Sequence, residues 1–194
     1  MDKGKRRRIT GPERRERILD AAHAIVDAEG FHAATPQRIA ETAGITRPVI
    51  YQQFGDLPGL FVALIDREAE RVAADFQAVV AGRRAGAEPF TETFAGVLAA
   101  VDAHPAAWRL FLAPPQGAPP RLHVRLEAAQ AELRRFLRDG LTAAYPDLPD
   151  PEYSARMVQA AGRELLLLHL SDPEAATAER LVGLIGRLTA RARR

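Results

Sequence analysis

Apolar residues recur at three- and four-residue intervals along nearly the whole chain, and no stretch sustains period-two alternation. The pattern predicts helices and no sheet. Ile18, Leu19, Ala22, Ile25 and Val26 share one face of a first helix, which Gly30 stops. Thr35 is a good N-cap and Pro36 a good first residue for a second, short helix with Ile39, Ala40 and Ala43 inward. Gly44 follows where a helix wants a left-handed residue to end, and Ile45 packs inward. Thr46 is a second N-cap, with Pro48 inside the first turn of a third helix. There Val49, Ile50 and Phe54 mix with Arg47, Tyr51, Gln52 and Gln53, so one side suits a core and the other can hydrogen-bond. Prolines and glycines divide the remainder into helices over 58–82, 90–103, 106–112, 121–144, 152–170 and 174–192. The loops between them include GRRAGAEP (82–89), APPQGAPP (113–120), PDLPDP (146–151) and SDP (171–173).

Helix, glycine-containing turn and polar-tipped helix over 35–54 is a helix-turn-helix arrangement, whose second helix enters the DNA major groove. Arg47 lies at the start of that helix, where side chains reach base edges, and a guanidinium suits the paired acceptors of guanine. Gln37, Gln52 and Gln53 are secondary readers. Thr35, Pro48 and Val49 complete the expected DNA-facing set.

The chain of 194 residues suits one large or two small domains, and 47% apolar content supports a core. No apolar run is long enough to span a bilayer, and none follows the basic N-terminus as a signal peptide requires. Cysteine is absent, which excludes disulfides, a thiol nucleophile and thiolate metal sites and fits a cytoplasmic protein. The net charge of +2 hides an asymmetry. Residues 1–17 hold eight Lys or Arg against three acids, whereas the rest of the chain is slightly acidic. A basic arm beside a DNA-reading unit gains affinity by releasing counterions from phosphates. A solvated tail is the other reading.

The run from Arg14 to Ile65 resembles the N-terminal domain of TetR-type (TetR/AcrR family) transcriptional regulators. The matching residues are ILDAA (18–22), EGF (29–31), IAETAGIT (39–46), IYQQF (50–54) and Leu60-Phe61. The resemblance covers roughly a quarter of the chain. It implies an all-α protein with a three-helix helix-turn-helix domain over 1–56 and a helical effector-binding and dimerisation domain over 57–194. It also implies that Thr46 and Tyr51 grip backbone phosphates, that a small effector binds between the connector helix and the next helices, and that the last two helices pair two copies. One departure stands out: Leu57 occupies a position where many members carry a phosphate-contacting lysine.

The final helices support pairing independently. Leu181, Val182, Leu184, Ile185 and Leu188 make a broad stripe, and Leu165–Leu168 is apolar all round. A broad stripe suits burial against both the chain's own core and a partner. Burial in its own domain alone is the alternative. Ala160, Ala161, Gly162, Gly183 and Gly186 would permit close helix approach.

Candidate chemistry is sparse. The five histidines lack metal-site spacing, and HExxH, GxSxG and phosphate-binding glycine loops are absent, so no catalytic residue, metal or cofactor is expected. Phe90, Phe94, Trp108 and Phe111 fall within 22 residues. With Phe61, His123 and Phe136 they form the expected effector set, an apolar pocket for an unidentified small molecule. Plain core packing is the competing reading. The expected function is sequence-specific binding of a double-stranded operator by a homodimer, acting as a repressor released by that effector, with no membrane partner and no enzymatic activity. Two alternatives stay open: a constitutive or architectural DNA-binding protein, and a ligand-binding or enzymatic helical protein with a vestigial helix-turn-helix.

Overall fold

The computed structural model describes residues 10–83 and 88–192. The basic arm over 1–8 and the middle of the 82–89 loop lie outside the described residues. Among those described there are nine α-helices, one 3-10 turn and no strand. They form two compact units. One runs to Arg67 and includes Pro115–Pro119; the other holds Glu68–Pro114 and the residues from Pro120 onward.

The first unit begins with α1 (Gly11–Glu29). Thr10 and Glu13 form a reciprocal capping box: the Glu13 amide donates to Thr10 Oγ1 at 3.3 Å, and the Thr10 amide donates to the Glu13 carboxylate at 2.9 Å. Its inner face buries Ile18, Leu19, Ala22, Ile25 and Val26. Gly30, at φ 89°, ends it. After a 3-10 turn at Phe31–Ala33 comes α2 (Pro36–Ala43), where Thr35 Oγ1 accepts the Arg38 amide at 3.3 Å. Gly44 stops α2 at φ 65°; its amide and that of Ile45 donate to the Glu41 and Ala40 carbonyls at 3.1 and 3.0 Å. This is the paired bonding of a Schellman turn. α3 (Arg47–Phe54) follows.

α4 (Leu57–Ala81) opens on Asp56, whose carboxylate accepts the Gly59 amide at 2.7 Å. A Cβ on Gly59 would stand 2.3 Å from the Phe54 carbonyl oxygen, so glycine is required for the chain to fold back this tightly after α3. Leu60, Leu64 and Ile65 are fully buried, and Arg67 ties α4 to α1 through Glu16 at 2.9 Å and Asp20 at 2.8 Å. The Phe61 ring meets Phe31 edge-on at 5.1 Å.

In the second unit, α5 (Pro89–Ala103), α6 (Pro105–Leu112), α7 (Pro120–Ala144), α8 (Pro151–Ser171) and α9 (Ala178–Ala192) join the remainder of α4. One core gathers Val97, Leu98 and Val101 of α5, Trp108 of α6, Leu166 of α8 and Leu181 of α9, with Val72, Phe76 and Val79 of α4 against it. A second joins Leu137 and Leu141 of α7 to Ala155 of α8. α9 starts four residues later than its periodicity suggests. The Asp172 carboxylate caps a turn by accepting the Ala175 amide, and Thr177 Oγ1 then accepts the Arg180 amide at 3.3 Å. Nor do Gly162, Gly183 and Gly186 bring helices of one protomer unusually close. A Cβ on Gly162 would meet nothing within 4 Å. The tight approach falls at Gly96, where a Cβ would stand 2.6 Å from Val79 Cγ1, joining α4 and α5.

Candidate DNA interface

The eight-residue α3 is too short to be stable alone and buries only Ile50, so tertiary contacts must hold it. Arg47, Pro48, Tyr51 and Gln52 form its exposed outer face, because residues four apart lie above one another. Tyr51 is 47% exposed. Val49 and Gln53 flank this face and are half-buried. Thr46 has the extended backbone of an N-cap, but its hydroxyl makes no capping bond. The expected capping role is thus confined to Thr35, and the exposed Thr46 hydroxyl sits at the helix N-terminus, where an anion is favoured.

The side chains divide further by their partners. Gln37 Nε2 donates to Glu41 Oε1. Arg38 makes a two-pronged ion pair with Glu29 across α1 and α2, a hydrogen bond that holds the Glu29 carboxyl below the usual range. Among the described residues, none pairs with the side chains of Arg47, Tyr51 or Gln52. This outer face is therefore presented by residues that the fold leaves uncommitted, beside residues it has fixed. Asp56 belongs to the second group, since it caps α4.

Residues 18–64 match the family model described as bacterial regulatory proteins, tetR family. That segment is similar to the N-terminal domain of TetR-family regulators. The HTH-type transcriptional activator FasR of Mycolicibacterium smegmatis is 33% identical over 96 residues, which is 50% of this chain and 41% of that protein. The match thus spans about two fifths of that relative's length. A TetR-like transcriptional regulator from Rhodococcus sp. RHA1 superposes with a TM-score of 0.73 at 23% identity, over 94% of this chain and 99% of that one. The transcriptional regulator FadR from Bacillus subtilis, in complex with stearoyl-CoA, superposes with a TM-score of 0.66 at 14% identity, over 87% and 96% of the two chains. These likenesses establish the all-α TetR-family fold.

The aromatic residues expected around an effector are divided by the structure. Phe61 pairs with Phe31 in the first unit. Trp108 and Phe94 belong to the α5–α6–α8–α9 core, and the Trp108 indole donates to Asp75 Oδ2 at 3.1 Å. Phe90 stacks on Tyr145 beside the α7–α8 core, while Phe136 meets Phe76 edge-on at 5.2 Å. Phe111 is half-buried and His123 is exposed on α7. Sequence alone could not show that Asp75 accepts from both Trp108 and His104, the latter at 3.0 Å through Nδ1, because those residues lie 33 and 29 positions away.

One feature of the α8–α9 hairpin escaped the sequence reading. His169 is buried, with Nε2 against Asp102 Oδ1 of α5 and Nδ1 against the Ala176 carbonyl, both at 2.8 Å. Burial alone would lower its pKa, but two acceptors on two ring nitrogens favour the doubly protonated ring and hold it above the usual value. On the outer surface, Tyr153, Met157, Ala160, Ala161, Glu164 and Leu168 follow one another along α8, with Leu184 and Leu188 exposed on α9. That is a largely apolar, solvent-facing stripe on the two helices expected to pair.

Proposed function

We propose that this protein is a TetR-type regulator that binds a specific DNA operator as a homodimer and represses transcription until a small-molecule effector releases it. Residues 1–56 supply the DNA-binding part, and 57–194 supply effector binding and dimerisation. The observation that carries the reading is the outer face of α3, where Arg47, Tyr51 and Gln52 are exposed and uncommitted on a helix held by its neighbours. In this account Arg47 reads a base, Gln52 assists it, and Thr46 and Tyr51 bind phosphates, with Thr35, Gln37, Pro48, Val49 and Gln53 at the edges of the contact. The basic arm over 1–8 adds sequence-independent affinity.

The apolar stripe of α8 and α9 pairs two copies, which places two reading heads on half-sites ~34–36 Å apart. An effector that binds best when the heads are wrongly separated lowers operator affinity by its differential free energy. Phe90, Phe94, Trp108, Phe111 and Phe136 are the residues proposed to shape its site, with Phe61 and His123 also in the proposed set. The stearoyl-CoA held by FadR makes acyl-CoA thioesters the first class to try. Repression is the simpler sign, since it requires only occupancy of DNA. Activation is the second reading, favoured by the activator name of FasR.

The test is selection of genomic fragments on the purified protein, followed by challenge of the complex with acyl-CoAs of graded chain length and with metabolite extracts. Release by one of these supports the proposal. Binding that none of them changes leaves a constitutive DNA-binding protein, and recovery of no preferred fragment leaves a vestigial helix-turn-helix.

A further inference from the structure

We infer that Arg15 positions the reading helix, its charge serving the fold of the protein rather than a DNA phosphate. The inference rests on the DNA-binding reading above. By position in the chain Arg15 is one of the eight basic residues of 1–17. In the structure it is half-buried on α1, its Nη1 donates to the Gln53 carbonyl at 3.1 Å, and its guanidinium lies 4.4 Å from the centroid of the Phe54 ring. Gln53 is among the last four residues of α3, whose carbonyls have no partner within the helix itself. The Gly55 amide takes the Tyr51 carbonyl at 2.8 Å, and Arg15 takes that of Gln53.

The consequence is geometric. Ile50 is the one buried side chain of α3, and a single buried point sets where a rod lies but not its rotation about that point. Arg15 supplies a second fixed point nearly one turn further on, from a different helix. Its positive charge also meets the negative end of the α3 dipole, and its flat face stacks on Phe54. Arg47, Tyr51 and Gln52 need their orientation held to a fraction of an ångström to read bases, and this restraint acts on the helix that carries them. Lysine cannot replace arginine here, because it has neither the fork nor the plane.

The test compares wild type with Arg15→Lys and Arg15→Gln. Each is titrated with a duplex recovered by the genomic selection and with a random duplex of equal length, across a salt series. Amide exchange of 47–55 is measured without DNA. Arg15→Lys is expected to lose on the order of tenfold in affinity for the selected duplex, the equivalent of one charge-assisted hydrogen bond. It should keep its affinity for the random duplex and its salt slope, while the amides near the end of α3 exchange faster. Equal losses on both duplexes for Arg15→Gln, with a slope shallower by roughly 0.9, would show a phosphate contact and overturn the assignment. So would unchanged operator affinity in a wild-type background that does prefer the selected duplex. A wild type without any preference overturns the regulator reading itself, and this role with it.

Discussion

Replacing Met157 and Leu188 with aspartate should convert the proposed homodimer to a monomer. Tyr153, Met157 and Leu168 on α8 are 71%, 68% and 45% exposed, and Leu184 and Leu188 on α9 are 37% and 52% exposed. With ~2 kcal/mol for a fully buried large apolar side chain, covering these exposed fractions is worth ~5 kcal/mol per protomer and about twice that per dimer. That gain is of the size of the freedom lost on association, ~4–15 kcal/mol, so the stripe matters and little is in reserve. Met157 and Leu188 together account for ~5 kcal/mol per dimer, more than three decades in Kd. Burying four carboxylates adds a further penalty. Sedimentation equilibrium over a wide concentration range, with circular dichroism to confirm helix content, reads the result directly. A folded double variant that dimerises within tenfold of wild type would refute the assignment of this stripe to the interface.

Other substitutions probe the framework. Gly59→Ala forces a Cβ toward the Phe54 carbonyl and should cost about 1–3 kcal/mol in chemical denaturation, as overpacking does; a neutral result would show that the α3–α4 turn yields easily. His169 has a pKa raised above 6.5, so its contribution to stability is fully present below pH 6.5 and is lost as pH rises through the folded-state value. The stability difference between wild type and His169→Gln should accordingly shrink as pH is raised from 6 to 9, and a difference that grows over this interval contradicts the two-acceptor assignment. Asp75→Ala leaves the buried Trp108 indole without its acceptor and should cost roughly 1–3 kcal/mol. A double-mutant cycle with Trp108→Phe measures the coupling, and a value near zero would dissolve the pair.

The helices were legible because their signals are local. Thr35, Pro36 and Gly44 bracket α2 by capping chemistry that operates within a few residues, and the three- to four-residue apolar spacing of 18–26 marks the buried face of α1. The Thr10–Glu13 capping box, which fixes where α1 begins, is equally local, but the sequence reading did not single it out. Thr46 is the N-cap of α3, as its residue type suggests, although its hydroxyl makes no capping bond. Relations across the chain were not legible. Arg15 looked like part of a basic arm because its partner carbonyl lies 38 residues away. His169 gave no signal because Asp102 lies 67 residues away. The aromatic cluster at 90–111 is close in sequence yet is shared between two cores, since helix direction separates neighbours and joins strangers.

The central claim is that α3 reads sequence. Its most direct test is the ratio of affinities for a selected duplex and a random one, measured for wild type and for Arg47→Ala at several salt concentrations. Wild type should show a large ratio. Arg47→Ala should lose roughly 1–3 kcal/mol on the selected duplex, relax the preference at one base pair in each half-site, and leave random-duplex binding nearly unchanged. Equal weakening on both duplexes would make Arg47 a phosphate contact, and a wild-type ratio of one would contradict sequence reading by this helix altogether.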